Sequence, residues 1–168
     1  GYTTQLIGRR AVKLIEEQDA SKPLYLYLTF NAPHTPYQAP QEYIDRYKSI
    51  ADPTRRTYAG MVTCLDDEIG KVVAALEKKR IRNNTLILFH SDNGGTRNAM
   101  FAGVMADMSK VVIPCDNGPY REGKGTLYEG GTRVCAFAHR PGHIAAQTVD
   151  RLIHAVDPSP TLAALAGA

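Results

Sequence analysis

Residues 57–80, TYAGMVTCLDDEIGKVVAALEKKR, place an apolar side chain every three or four positions along the whole stretch. Tyr58, Met61, Val62, Leu65, Ile69, Val72, Val73 and Leu76 form one continuous stripe, and basic residues gather at the carboxyl end, where the helix macrodipole favours them. A helix that long and that one-sided needs a broad apolar partner. Two neighbouring segments offer it. TLILFH (85–90) follows directly, closed off from the helix by Asn83 and Asn84, and LYLYLTF (24–30) precedes it, nearly all apolar or aromatic, as a strand covered on both faces would be. Strand, long helix, strand is a βαβ unit. The pattern therefore predicts an α/β fold with parallel strands and a right-handed crossover.

The remaining segments fit around that unit. Residues 3–18 put Leu6, Ile7, Ala11, Leu14 and Ile15 on one face of an amphipathic helix. NAPHTPYQAP (31–40) is too rich in proline for helix or central strand. Residues 96–122 show weak periodicity and read as a long loop or insertion, GTRVCAFAHRPG (131–142) holds another short strand, and DPSPTLAALAGA (157–168) starts a helix with Ser159 as cap and Pro160 at its first position. The acids of LDDE (65–68) are expected to face solvent. At 168 residues the chain has the size of one domain, and its opening on Gly1, close to a helical pattern, suggests a domain incomplete at one or both ends.

Composition removes several function classes. The net charge is +3, and the basic clusters Arg9-Arg10, Arg55-Arg56 and Lys78-Lys79-Arg80 are short and lack aromatic interleaving, so no nucleic-acid surface is expected. No run approaches the ~20 apolar residues of a spanning helix, so no membrane partner is expected either. Cys64, Cys115 and Cys135 show no C-x-x-C spacing and read as ordinary thiols rather than a disulfide framework or zinc knuckle.

Three polar features could share one edge of the sheet. His34 comes four residues after LYLYLTF, and Asp92-Asn93 follow TLILFH. With parallel strands, both fall at the carboxyl edge, where open α/β sheets bind ligands. Asp92 and Asn93 are hard oxygen donors suited to calcium or magnesium, yet calcium takes about six to eight oxygens and this pair supplies two or three. Asp-Asn-Gly-Gly is also ordinary turn chemistry. The third feature is Lys124 in NGPYREGKGTLYEGGTR (117–133). Gly118, Gly123 and Lys124 nearly match a phosphate-binding P-loop, but Gly125 brings no hydroxyl for magnesium, no strand leads in, and Gly130-Gly131 disfavour a following helix. What remains is a lysine in a glycine-rich loop, where backbone can approach an anion.

Five blocks in order, FNAPHTPYQAP, YAGMVTCLDDEIGKVVAALEKK, NTLILFHSDNGG, GPYREGKGTLYEGGTRV and AVDPSPTLAALAG, resemble the central part of the sulfatase family over nearly the whole chain. The resemblance implies an alkaline-phosphatase-like α/β sheet with flanking helices, residues 1–168 being a partial catalytic domain, and hydrolysis of sulfate esters with calcium and a formylglycine nucleophile. By position it implies that Asp92 and Asn93 bind Ca2+ (with Mg2+ as the alternative), that His34 contacts substrate near the leaving oxygen, and that Lys124 grips the sulfate. Those roles suit the chemistry, since a cation, a lysine and an imidazole stabilise charge on the departing and non-bridging oxygens. It also suggests a periplasmic, secreted or lysosome-like setting.

The chain departs from the family at the nucleophile. Neither CLDDE, CDNGP, CAFAH nor any serine stretch fits the C/S-x-P/A-x-R motif, and the amino-terminal pair of calcium-binding acids does not occur. Cys135 stands where the family often has proline, and His90 stands where it often has a small hydroxyl residue. His90, His139, His143 and His154 read as packing or surface residues. The expectation is thus a sulfatase segment that is inactive alone. Two rivals are a non-catalytic module of the same fold, binding an anion or partner or oligomerising through an exposed sheet edge, and a phosphoesterase or phosphonate hydrolase of the same superfamily.

Overall fold

The computed structural model describes residues 1–97 and 112–167. Its centre is a pair of crossing helices, α1 (Thr3–Glu17) and α3 (Pro53–Lys78), joined by the proline-rich segment and a short helix α2 (Gln41–Ile44) that runs into a single 3-10 turn, Asp45–Tyr47. Beyond α3 come a 3-10 turn (Arg82–Asn84), strand β1 (Ile87–His90), a one-turn helix α4 (Glu129–Thr132), strand β2 (Ala136–His139) and helix α5 (Pro158–Ala166). No helix among the described residues is long and apolar enough to cross a membrane.

Helix α3 starts five residues before the apolar stripe does. The Asp52 carboxylate accepts a hydrogen bond from the Arg55 N–H at 2.6 Å, and Pro53, which has no N–H to lose, takes the first helical position. The far end is closed not by the asparagines but by a left-handed residue. Arg80 has φ +61°, its N–H donates to Glu77 O at 2.8 Å, and the Ile81 N–H reaches back to Leu76 O at 3.1 Å. That return folds Ile81 onto the core formed by Ile15, Ala75 and Leu76, which Val12, Leu26, Val72 and Ile87 also cover.

Close approach of the two helices keeps Ala11 and Ile15 of the expected stripe buried and adds Thr4 and Gly8 to the covered face of α1. The buried residues are Thr4, Gly8, Ala11 and Ile15, while Leu6 is 49% exposed. The reason is small size at the crossing: a β-carbon on Gly8 would lie 2.1 Å from Glu68 Oε2. Glu68 itself is 1% exposed, against the expectation that the LDDE acids face water; only Asp66 is fully out, and Asp67 is half-buried. The Glu68 Oε1 atom meets Lys71 Nζ at 2.5 Å, and its Oε2 is buried with no hydrogen-bond partner among the described residues.

The parallel βαβ sheet is not what the strands form. β1 pairs with β2 in antiparallel register, Ile87 opposite His139 and Phe89 opposite Phe137, whose rings stack at 5.0 Å. Residues 24–30 belong to no ladder among the described residues. They alternate instead: Leu26, Leu28 and Phe30 are half-buried, while Tyr25 and Tyr27 are 77% and 72% exposed. Apolar composition reveals that a segment wants cover on both faces, but strand structure also requires a hydrogen-bonded neighbour. Helix α5 differs in detail as well. Asp157 occupies the cap position and Pro158 begins the helix, two residues earlier than Ser159 and Pro160 would place it. Within the expected loop 96–122, residues 98–111 lie outside the described residues; the remainder folds back on the Asp92–Gly95 turn.

Candidate active site

The Asp-Asn-Gly-Gly turn and the lysine loop are knitted together by backbone, and glycine is what permits it. The Gly94 N–H donates to Gly131 O at 3.0 Å, the Lys124 N–H to Gly95 O at 3.1 Å, and the Gly130 N–H to Arg121 O at 2.9 Å. A β-carbon would sit 1.8 Å from Gly130 O if placed on Gly94, and 2.1 Å from Gly95 O if placed on Gly123. Contrary to expectation, Gly130 and Gly131 do lie in a helical turn, the four residues of α4; being buried against carbonyl oxygens, they serve packing rather than flexibility.

Lys124, fixed at its backbone by Gly95, extends its ammonium to within 3.2 Å of His34 Nε2. The histidine ring is oriented from its other side. Its Nδ1 lies 3.0 Å from Thr35 O; a carbonyl can only accept, so the tautomer that satisfies this contact has its hydrogen on Nδ1 and leaves Nε2 to face the Lys124 donor. Thr35 Oγ1 also stands 3.2 Å from Nδ1. Two residues ninety positions apart thus meet, although the sheet edge that was expected to bring them together is not the means. Loops carry both.

Asp92 and Asn93 follow the end of β1, which is extended past His90 by a bond from the Ser91 N–H to Cys135 O at 3.1 Å. Ser91 Oγ donates to Asn93 O at 3.0 Å, and Asn93 Nδ2 to Gly94 O at 2.9 Å, so the amide points its nitrogen inward. The Asp92 carboxylate is exposed and engaged by no other described residue. A free carboxylate and a free amide oxygen fit the hard-oxygen chemistry of calcium, but they are an incomplete set, and no group of three or more His, Cys, Asp or Glu among the described residues is arranged to hold a metal.

Sequence reasoning missed Asn117. Its carboxamide accepts from the Gly95 N–H at 2.8 Å and donates to both Gly95 O and Glu122 O at 2.9 Å. The available signal was a second Asp-Asn-Gly, residues 116–118, in which Asp116 accepts from the Gly118 N–H and Gly118 takes φ +60°. Beneath it, Cys115 is buried with its thiol donating to Thr96 O at 2.9 Å; burial pushes this thiol up from its ordinary value. His90 is exposed and its ring bonds only the adjacent Ser91 carbonyl, at 3.1 Å, while His139 is held by the Arg82 guanidinium. Arg82, buried at the base of β1, was not anticipated either.

Known proteins share this arrangement of segments. The chain is 39% identical over 166 residues to arylsulfatase J of Mus musculus, covering 98% of this chain and 25% of that protein. It is 32% identical over 165 residues to N-acetylgalactosamine-6-sulfatase of Homo sapiens, covering 98% and 28%. The crystal structure of Ps i-CgsB in complex with k-i-k-neocarrahexaose superposes with a TM-score of 0.86 at 40% identity over 99% of this chain and 34% of the other. The chain therefore spans about a quarter to a third of the relatives it matches. The fold is the α/β, alkaline-phosphatase-like fold of those structures, here in part. With the family model for Sulfatase matching residues 1–168, the chain belongs to the sulfatase family.

Proposed function

We propose that these residues supply the sulfate clamp, the leaving-group histidine and part of the calcium site of a sulfate-ester hydrolase. The observation that carries this reading is the 3.2 Å contact between Lys124 Nζ and His34 Nε2, made by a lysine whose own backbone is bonded to the Asp-Asn-Gly-Gly turn. The names of the relatives, an arylsulfatase and an N-acetylgalactosamine-6-sulfatase, point to the same class of ester.

In the resting arrangement Lys124 Nζ lies against His34 Nε2. An arriving sulfate offers the ammonium a charged acceptor and a stronger hydrogen bond. Lys124 turning to it frees Nε2 to face the ester's bridging oxygen. Once Nε2 takes a proton from solvent, the ring, still held at Nδ1 by Thr35 O, presents Nε2–H to the departing oxygen and gives that proton to it as it leaves, as a general acid must. Asp92 and Asn93 would hold calcium with oxygens from outside these residues, and a bound calcium would offset charge on the non-bridging oxygens. Of this pair only Asp92 would bring a negative charge, Asn93 adding an oxygen without one, so the two would neutralise one charge of the cation and not two.

No residue here matches the nucleophile motif, so the 168 residues alone are expected to hydrolyse p-nitrophenyl sulfate at the background rate. The full-length protein is expected to turn it over in a calcium-dependent way, and Lys124→Ala, His34→Ala and Asp92→Ala should each lower kcat/KM, by about a hundredfold or more for the groups at the reacting oxygens. Faster hydrolysis of p-nitrophenyl phosphate than of the sulfate would reassign the site to phosphoester chemistry. Turnover by the isolated chain that Lys124→Ala abolishes would overturn the account of the nucleophile.

A further inference from the structure

The structure assigns Asn117 as a positioning residue for the Lys124 anion clamp, an inference that rests on the reading of Lys124 given above. Its carboxamide is wedged between two glycines. A β-carbon on Gly95 would lie 3.0 Å from Asn117 Oδ1, and one on Gly123 would lie 3.0 Å from Asn117 Nδ2. Both N–H donors and the oxygen acceptor are used: Gly95 is gripped at its N–H and its C=O, and Glu122 at its C=O. Gly95 O is the same atom that accepts from the Lys124 N–H. One side chain therefore fixes the turn bearing Asp92 and Asn93, and, through a shared carbonyl, the backbone from which Lys124 projects.

Only an amide does this. Aspartate would keep the bond to the Gly95 N–H but would place a carboxylate against two carbonyl oxygens, and alanine would leave those polar groups unpaired. Because Lys124 reaches His34 across a long, flexible side chain, its ammonium can be held in place only if its backbone is. Misplacement of a reacting or gripping group by about 1 Å can cost on the order of a hundredfold.

The test is a double-mutant cycle in the full-length protein, reading kcat/KM for p-nitrophenyl sulfate and Kd for inorganic sulfate. Asn117→Ala is expected to lower kcat/KM and sulfate affinity by roughly ten- to a hundredfold, and to lower both by clearly smaller factors once Lys124→Ala is present, the remainder being what it does through the Asp92–Asn93 turn. Losses that instead multiply in the double variant would mean that Asn117 merely supports the fold, and the inference falls while the clamp stands. If Lys124→Ala alone changes neither quantity, the clamp reading falls and takes this inference with it. Should Asn117→Ala not fold, Asn117→Asp retains the Gly95 bond and enters the same cycle with the same two outcomes.

Discussion

Gly94 and Gly130 pass so close that the missing side chain of the first is filled by the carbonyl of the second: a β-carbon on Gly94 would lie 1.8 Å from Gly130 O and 2.8 Å from Gly130 C. Both obstacles are backbone, so no rotamer change relieves them. That contact joins the turn carrying Asp92 and Asn93 to the loop carrying Lys124.

Gly94→Ala is therefore expected to force the two loops apart, at a cost of about 3 kcal/mol or more, the upper end of what overpacking does. Gly70 gives the contrast. It lies inside α3, and a β-carbon there meets nothing within 4 Å, so Gly70→Ala should stabilise by up to ~1 kcal/mol through helix propensity. Urea midpoints at unchanged m-value measure both. Equal shifts in the two variants would contradict the packing described for Gly94.

At the helix crossing, Gly8→Ala is set against two opposed effects. Helix propensity favours alanine by about 1 kcal/mol, yet the new methyl would fall 2.1 Å from Glu68 Oε2 and 2.8 Å from Glu68 Cβ. The Cβ cannot swing away, so overpacking of about 1–3 kcal/mol wins and the variant should be less stable. Adding Glu68→Gly removes the obstacle, Cβ included, together with the Oε2 that has no partner among the described residues. Gly8→Ala should then become neutral or favourable in that background, a coupling that equilibrium unfolding of the four proteins measures. Simple additivity would show that the two residues do not meet.

The helices were legible because their information is local. Apolar spacing marked α1 and α3 to within a few residues, and the shortfall at Asp52-Pro53 came from weighting the stripe over the cap. The face α1 buries was legible only in part: Ala11 and Ile15 were marked by apolar spacing, whereas Gly8 and Thr4 are chosen by the partner helix and not by hydrophobicity. The strand at 24–30 failed for a related reason: strand structure is a property of two segments, and the sequence of one cannot name its neighbour. Among the candidate site residues, Asp92, Asn93 and Lys124 were marked by glycine-rich surroundings. His34 was marked by its place in a proline-rich loop after an apolar run. Asn117 looked like turn chemistry, and so it is; its use as a bridge depends on Gly95, twenty-two positions away.

Alkaline stability should report on Tyr43. Its ring is buried beneath the Arg46 guanidinium, 4.5 Å from the ring centre, and burial, followed by the hydrogen bond to Asp67, pushes the phenol up to about 12. In the unfolded chain a tyrosine ionises near 10. Between those values the unfolded state has released a proton that the folded state retains, so the stability from the neutral phenol is complete below about 10 and is lost as pH rises through about 12. Cys64, next to it and also raised first by burial, acts in the same direction. Tyr43→Phe has no phenol to ionise. Its urea midpoint should therefore fall less steeply than that of the parent chain over that alkaline interval, whatever the offset near neutrality. Parallel alkaline slopes in the two proteins would show that Tyr43 ionises as freely in the fold as outside it, and that the pocket between α2 and α3 is open to water.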